Sequence, residues 1–352
     1  MSKSGSGNFF EDFRLGQRIR HATPRTVTTG DVALHTALFG SRFALASSDE
    51  FARGLGLPRA PVDDLLVFHV VFGKTVSDVS LNAVANLGYA GGRFLAPVFP
   101  GDTLSAVSTV IGLKENSNRQ TGIVTVHSTG SNQRGETVLD YRRWVMVRKR
   151  DAAAPAPVEV TPELPDCVAV ADLKVPAGLE VAAYDGELAG SADLWEDYSV
   201  GEKIDHVDGM TIEEAEHMMA TRLWQNTARL HFNQHAEAQG RFGRRLIYGG
   251  HIISLARALS FNGLANAVKL AAINGGAHTN PTFAGDTIYA WSEVLDKAAL
   301  PGRDDLGALR LRLVALKNRP AAGFPLRGDG GNGTHPDVVL DFDYWALMPR
   351  RR

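Results

Sequence analysis

The chain has almost no cysteine and no strong net charge. Cys167 is its single cysteine among 352 residues, which excludes an intrachain disulfide and favours a reducing compartment. The 37 basic and 39 acidic side chains leave a formal net charge of −2. This balance provides no electrostatic basis for binding nucleic acid or an anionic membrane. We therefore expect a protein without a nucleic-acid partner.

Long apolar runs and nucleotide-binding loops are also missing. The apolar stretches fall short of the roughly 20 residues that a membrane-spanning helix needs, and the first residues lack the apolar core of a signal peptide. The histidines lack cysteine or carboxylate neighbours at the spacing typical of zinc sites. No glycine-rich phosphate loop follows a predicted strand. We expect a cytoplasmic protein with no membrane partner, no metal and no cofactor.

What the sequence does contain is two copies of one unit. Glu11-Asp12 recurs as Glu196-Asp197, and the turn at Gly101-Asp102-Thr103 resembles Gly285-Asp286-Thr287. Such self-similarity indicates a duplicated structural unit, and the length is sufficient for two domains. We predict an N-terminal domain over residues 1–150, a linker over 151–185 and a C-terminal domain over 186–352.

Each copy has the same predicted order of elements: a short strand, a helix, a longer apolar helix and several strands. The predicted helices are Thr29–Leu38, Leu65–Val76, Ile212–Leu223 and His251–Phe261. The strands with clear alternation are Thr103–Leu113, Gly122–Thr129, Thr137–Arg148, Thr287–Leu295, Ala308–Leu316 and Asp337–Leu347. Alternation of apolar and polar residues indicates antiparallel strands with one buried side. The pattern predicts an α+β fold in which each antiparallel sheet wraps around a long central helix.

Two segments have the composition of irregular structure. Asp151–Asp185 contains five prolines, which argue against a helix and favour an extended linker. A chain of this length is able to cross the whole back of a fused pair of domains. Gly323–His335 is predicted to be a loop between two strands.

A polar cluster lies shortly before the glycine pair that opens the central helix of copy two. Asn226 and His231 come first, and Tyr248-Gly249-Gly250-His251 follows. The N–H groups at a helix N-terminus can stabilise a developing oxyanion such as a thioester enolate, and a histidine can transfer a proton near neutral pH. The cluster therefore indicates chemistry at the carbon β to a carbonyl. The alternatives are a structural histidine, a turn asparagine and a simple tight turn at the glycines.

These motifs resemble the MaoC-type hydratases, whose fused form is the double hot dog fold. Within this family the chain is similar to the mesaconyl-CoA hydratase group, in segments such as Ala85–Phe94 and Arg241–His251. The resemblance implies reversible hydration of mesaconyl-CoA to β-methylmalyl-CoA, a step of acetate assimilation through ethylmalonyl-CoA. It implies a CoA thioester as substrate rather than a separate cofactor. We also expect a homodimer or a higher homo-oligomer, because two such fused chains are able to pair and continue their sheets.

One family position differs here. The R-specific enoyl-CoA hydratases of the family carry an aspartate where this chain has Asn226, and an amide holds water but does not take up a proton as a carboxylate does. The equivalent positions of copy one are Ser41 and Ala46, which cannot replace the Asn226–His231 pair. We therefore expect one site, in copy two.

The resemblance also implies roles for the residues around this site. His231 is expected to transfer the proton, Asn226 to orient the water or the substrate, and the N–H groups of Gly250 and His251 to bind the thioester oxygen. Tyr248, Gly249 and the His251 side chain are further candidates for substrate contact or proton transfer. The candidates for binding the free carboxylate of the substrate are Arg222, Arg229, Arg244 and Arg245.

Two questions stay open at the level of sequence: the role of Gly275 and Gly276, and the class of protein, for which there are three alternatives. Gly275 and Gly276 either let the pantetheine arm of CoA pass close to a strand or form a β-bulge. The chain is either the hydratase that the resemblance implies or a thioesterase, because hot dog folds also include thioesterases. A non-catalytic acyl-CoA binding protein is the third possibility, since Asn226 replaces the usual aspartate.

Overall fold

All the strands that the structure describes form one ten-stranded antiparallel sheet. A computed structural model describes residues 3–328, 331 and 333–351. The strands are β1 (Arg18–Thr26), β2 (Ala83–Phe94), β3 (Thr103–Glu115), β4 (Thr121–Ser131), β5 (Thr137–Arg148), β6 (Lys203–Thr211), β7 (Lys269–His278), β8 (Thr287–Ala299), β9 (Leu306–Lys317) and β10 (Val338–Pro349). Their order across the sheet is β1-β3-β4-β5-β2-β7-β10-β9-β8-β6. The two halves of this order are equivalent, as expected for a duplication.

The two copies are joined through β2 and β7. These strands pair antiparallel, with Tyr89 opposite Gly276 and Ala90 opposite Gly275. Because the pairing links the inner edge strand of each half, neither edge is left unpaired at the junction. The two half-sheets are therefore one continuous surface, and the central helices of both copies lie on the same side of it.

Each copy contains two helices of 10–12 residues, of which the second is the central helix, and the other described helices are only one or two turns long. Their bounds are α1 (Thr29–Phe39), α2 (Ala44–Ser47), α3 (Asp49–Gly54), α4 (Asp64–Thr75), α5 (Gly186–Ala189), α6 (Glu214–Leu223), α7 (Arg229–Phe232), α8 (Gln234–Glu237), α9 (Gly249–Leu259) and α10 (Phe261–Leu264). The central helix α4 packs on β1, β3 and β5, and α9 packs on β6, β8, β9 and β10. The predicted α+β architecture with a sheet around each central helix is confirmed. No helix in the described part of the chain is long and apolar enough to cross a bilayer.

The helix ends differ from the predicted ones for local reasons. The helix α4 begins at Asp64 because the Asp63 carboxylate accepts a hydrogen bond from the Leu65 N–H, 2.8 Å away, as an N-cap residue does. The predicted start of α6 at Ile212 is two residues early, since the Ile212 N–H donates to the Asp286 carbonyl. The helix α9 begins at Gly249 rather than His251, so the glycine pair forms its first turn.

The linker between the copies is extended, as predicted, apart from a short 3₁₀ turn at Val170–Asp172. It forms one bridge to β3 between Val160 and Leu113, and further along the Val168 carbonyl accepts a hydrogen bond from Trp345 Nε1 at 3.1 Å. Its apolar side chains pack on the sheet face opposite the central helices. The predicted loop Gly323–His335 connects β9 and β10, and its residues 329, 330 and 332 lie outside the described residues.

The central helix of copy one lies directly against the loop that carries Asn226. A Cβ atom at Gly73 would collide with the Trp224 carbonyl oxygen and lie 3.4 Å from the Asn226 nitrogen. The absence of a side chain at Gly73 therefore allows the two copies to approach at the place where the candidate catalytic loop begins.

We expect Gly73→Ala to lower stability by about 1–3 kcal/mol, the usual cost of overpacking a core, because the backbone of the Asn226 loop has to move. Urea denaturation of the purified variant measures the change. Gly54→Ala is the matched control, because Gly54 is also helical and its Cβ would have no neighbour within 4 Å. Equal stability of the two variants would contradict this account of the helix–loop contact.

Candidate active site

A cavity of about 400 Å³ lies between the two copies. Copy one contributes apolar side chains and a few polar ones, among them Phe72, Val76, Ser80, Asn86, Tyr89 and Arg143. Copy two contributes four residues of the polar cluster predicted from the sequence, Asn226, His231, Tyr248 and Gly249, and also His278. An apolar cavity with a few converging polar groups is typical of a small-molecule site.

His231 lies on the one-turn helix α7 and lines the cavity. Its Nδ1 is 2.9 Å from the Leu246 carbonyl oxygen, so Nδ1 carries the proton and Nε2 has the free lone pair. Burial lowers the pKa of His231 to about 4, although the hydrogen bond to Leu246 opposes this. The imidazole is therefore neutral at pH 7 and is able to accept a proton.

Asn226 lies in the turn that precedes α7 and is buried. Its Oδ1 accepts a hydrogen bond from the Ala228 N–H at 3.1 Å, an Asx turn of the kind that asparagine commonly forms. This bond fixes the orientation of the amide and leaves its NH₂ group toward the cavity that Asn226 lines. The turn role and the site role predicted for Asn226 are thus compatible in one side chain.

The first turn of α9 forms part of the cavity wall. The Tyr248 N–H donates to His217 Nε2 at 3.0 Å, which holds the start of the helix, and Gly249 lines the cavity. A Cβ at Gly249 would collide with the His278 ring, and one at Gly250 with the rings of Tyr248 and His69. The N–H groups of Gly249 and Gly250 belong to the first turn, where the helix itself offers no acceptor.

The expectation for the His251 N–H is wrong. This group donates to the Tyr248 carbonyl at 2.8 Å, so it is not available for a thioester oxygen. The His251 side chain packs in the core beside Phe39, with ring centroids 4.9 Å apart, and burial lowers its pKa to about 3. Gly250 is buried and is not among the residues that line the cavity, so its N–H remains a prediction as the donor at this helix end.

Comparison with known proteins identifies the family. A sequence model of the mesaconyl-CoA hydratase family matches residues 2–324. The chain is 69% identical over 350 residues to a β-methylmalyl-CoA dehydratase of Chloroflexus aurantiacus, which covers 99% of each protein. The chain belongs to the mesaconyl-CoA hydratase family.

Two solved structures agree with this membership. A MaoC domain dehydratase from Chloroflexus aurantiacus, also 69% identical, superposes with a TM-score of 0.98 over 100% of both chains. A Mycobacterium tuberculosis protein with a double hotdog fold superposes with a TM-score of 0.75, at 26% identity and over 98% of this chain and 99% of that one. The resemblance to MaoC-type hydratases and the double hot dog fold are thereby confirmed.

Within this member of the mesaconyl-CoA hydratase family, the predicted arginines lie away from the cavity wall. Arg222, Arg229 and Arg244 are exposed, and the Arg244 guanidinium lies 3.9 Å from the Phe283 ring centroid. Arg245 forms an ion pair with Glu214. None of these four residues is among those that line the cavity.

Gly275 and Gly276 also lie outside the cavity lining and belong to the seam between β7 and β2. The β7–β10 register shifts beside Gly275, between Asp343 and Tyr344, which is a bulge of the kind predicted as one alternative. A Cβ at Gly276 would lie 3.0 Å from the Phe342 ring and 3.1 Å from that of Tyr89. Close packing across the seam accounts for the glycine at this position.

Several polar residues of the cavity do not appear among those predicted from the sequence, and His278 and Arg143 are two of them. His278, at the end of β7, lies with Nε2 3.3 Å from the Tyr89 hydroxyl, and burial lowers its pKa to about 4. Arg143 is an inward-facing residue of β5 and is fully buried. The alternation of β5 indicated its direction, because Tyr141, Arg143 and Val145 share one face.

The place equivalent to this cavity in the other copy is almost closed. A cavity of about 30 Å³ there is lined by Ala46, at the position equivalent to His231, and by Asp63 and Asp64 at the start of α4. Asp64 forms an ion pair with Lys269, which also lines this small cavity. A volume of this size holds little more than a water molecule, so no acyl chain fits there.

No group of three or more His, Cys, Asp or Glu side chains within the described residues is arranged to hold a metal ion.

Histidine burial predicts how stability depends on pH. Burial lowers the pKa of His69, His206, His217, His231, His251 and His278. Between about pH 6.5, where an unfolded histidine takes up its proton, and about pH 4, the unfolded chain binds more protons than the folded one. The free energy of unfolding therefore decreases as the pH falls through this range.

Each of these histidines is expected to contribute a loss of about 1.4 kcal/mol per pH unit. Urea denaturation at pH 7.5, 6.0 and 5.0 measures the slope. His206→Gln, outside the cavity, should reduce the slope, whereas His235→Gln on the exposed part of α8 should leave it unchanged. Constant stability between pH 7.5 and 5.0 would contradict neutral buried histidines.

Proposed function

We propose that this protein catalyses the reversible hydration of mesaconyl-CoA to β-methylmalyl-CoA, with His231, Asn226 and Gly250 as the catalytic groups. Membership of the mesaconyl-CoA hydratase family supports the reaction. The arrangement of His231 supports the site: its Nδ1 is held by the Leu246 carbonyl, and its Nε2 has the free lone pair in the cavity between the copies. This is the tautomer that a general base requires.

In the proposed reaction the thioester oxygen lies at the first turn of α9. The Asn226 NH₂ group donates to the oxygen of a water molecule, and His231 Nε2 removes a proton from that water as the oxygen bonds to the β-carbon. The electron pair of the double bond moves to the thioester oxygen, where the Gly250 N–H and the helix N-terminus stabilise the enolate. His231 then returns the proton to the α-carbon, so that one water is added in total.

The low pKa of His231 suits the second half of this sequence. Burial disfavours the imidazolium form, with a pKa of about 4, so a proton taken from water is readily passed to the enolate carbon. Reversal of the same steps dehydrates the product. This scheme gives the amide of Asn226 a positioning role and requires no carboxylate in the place of the usual aspartate.

The proposal also covers the cofactor requirement, the cellular location, the assembly and the number of active sites. CoA enters as part of the substrate, and hydration is redox-neutral, so we propose no further cofactor. We also propose a cytoplasmic homo-oligomer that acts in acetate assimilation through ethylmalonyl-CoA. One site per chain is supported by the cavity of about 30 Å³ at the equivalent place in copy one.

We expect His231→Gln to lower turnover of mesaconyl-CoA on the order of 1,000-fold, as loss of a general base does. The glutamine amide is able to keep the contact with the Leu246 carbonyl but has no basic nitrogen. The loss of enoyl-thioester absorbance measures the reaction. His235→Gln, an exposed histidine on the neighbouring helix α8, is the control and should retain the wild-type rate.

Near wild-type turnover by His231→Gln would overturn this assignment. A thiol reagent in the same assay detects release of free CoA, which a thioesterase produces and a hydratase does not. Tight binding of mesaconyl-CoA by the wild-type protein without any turnover would favour an acyl-CoA binding protein instead.

A further inference from the structure

Arg143 is a buried cation without an anionic partner. It is 0% exposed, and its guanidinium carbon lies 4.2 Å from the centroid of the Phe72 ring. Its Nη2 donates to Thr75 Oγ1 at 2.7 Å and to Ser80 Oγ at 3.3 Å, and Nη1 lies 3.5 Å from Asn86 Oδ1. All these partners are neutral, and no carboxylate among the described residues forms an ion pair with Arg143.

A buried charge in this state is costly. Neutral hydroxyl groups compensate only part of the lost hydration, and a buried ion usually has a counterion. Burial lowers the pKa of Arg143, but an arginine keeps its proton in proteins. The side chain thus brings a positive charge to the cavity wall at a cost that packing alone does not explain.

The duplicated copy provides an internal comparison. Arg257 in α9 stands at the position equivalent to Phe72 in α4, and it lies over the Phe43 ring at 3.5 Å. Its charge is compensated within the protein, because Asp63 and Asp64 line the same small cavity of about 30 Å³ and interact with it favourably. The closed cavity therefore contains its own carboxylates, whereas the open cavity around Arg143 does not.

Other donors line the open cavity next to Arg143. The Asn86 Nδ2, the Tyr248 hydroxyl and the Arg143 Nε are buried polar atoms that have no hydrogen-bond partner among the described residues. All three residues line the cavity of about 400 Å³. Three unused donor groups and one uncompensated positive charge together form a site for an anion that accepts several hydrogen bonds.

We propose that Arg143 binds the free carboxylate of the substrate, so that the copy without the catalytic histidine determines selectivity for carboxylated acyl chains. The identity of the acyl chain rests on the proposed function, but the anion subsite does not. In a short dicarboxylic enoyl thioester the carboxylate is conjugated with the reacting double bond, and its negative charge opposes attack by the water oxygen. Pairing with Arg143 offsets this charge and fixes the orientation of the acyl chain.

The test compares two saturated thioesters that cannot be hydrated, methylsuccinyl-CoA and 2-methylbutyryl-CoA. They differ in a carboxylate that is replaced by a methyl group. The wild-type protein should bind the carboxylated thioester about 100-fold more tightly, since a buried charge-assisted pair has an effect of that order. Isothermal titration calorimetry measures both dissociation constants.

Arg143→Gln should reduce this ratio to about one, and Arg143→Lys, which keeps the charge but not the planar fork, should retain part of it. Arg142→Gln is the matched control, because Arg142 is adjacent on β5 and points to the other face, toward Asp140. Its ratio should remain that of the wild type. Thermal unfolding shows whether each variant is folded. If Arg143→Gln does not fold, the binding ratio of Arg143→Lys is the test of the inference.

Two results would overturn the inference: equal binding of both thioesters by the wild-type protein, or an unchanged ratio in a folded Arg143 variant. If the proposed hydration reaction is wrong but the anion subsite is right, the experiments give a different pattern from these two results. The wild-type protein would then show no turnover of mesaconyl-CoA while the ratio still depended on Arg143, and the anion subsite would stand without the hydratase assignment.

Discussion

The pairing of β2 with β7 is the constraint on which the rest of the structure depends. Because these strands join two half-sheets edge to edge, the central helices α4 and α9 are held on the same face, and loops of one copy contact the helix of the other. Gly73 of α4 contacts the loop of Asn226. The Tyr248 ring packs on Phe72 of copy one, with centroids 5.6 Å apart. The cavity is a product of this contact, and neither copy alone encloses it.

Duplication followed by divergence explains why the two equivalent places differ in volume. Near α9, the glycines leave space and the histidine provides a reactive group. The cavity there measures about 400 Å³. Near α4, Asp63 and Asp64 stand where Tyr248 and Gly249 stand in the other copy, and the cavity measures about 30 Å³. The closed place keeps its charges paired within the protein, and the open place contributes Arg143 to the shared cavity. Each copy therefore contributes side chains to the cavity beside the other copy's central helix. The backbones of the two copies are equivalent, but the contributed side chains differ.

Most of the fold was predictable because its signals are local. The alternation in the long strands and the two apolar helices depend on residues a few positions apart, and they predicted these elements to within a few residues. The repeat is visible from comparison of the chain with itself. The differences arose where a long-range contact sets a helix end, as at Ile212, whose N–H bonds to Asp286. The His251 N–H was assigned to the substrate because the first residues of a helix usually lack an acceptor, whereas the Tyr248 carbonyl is close enough to serve.

The sequence by itself determined the duplicated α+β fold, and its resemblance placed the chain in the right family. It also brought His231, Asn226 and the glycine pair into one group, because they lie close together along the chain. Only the tertiary structure decided which buried cation lines the cavity. Arg143 comes from the other copy, and its importance depends on the absence of a carboxylate partner in three dimensions. Solvation of a charge is a property of its whole surroundings, and no pattern of neighbours along the chain reports it.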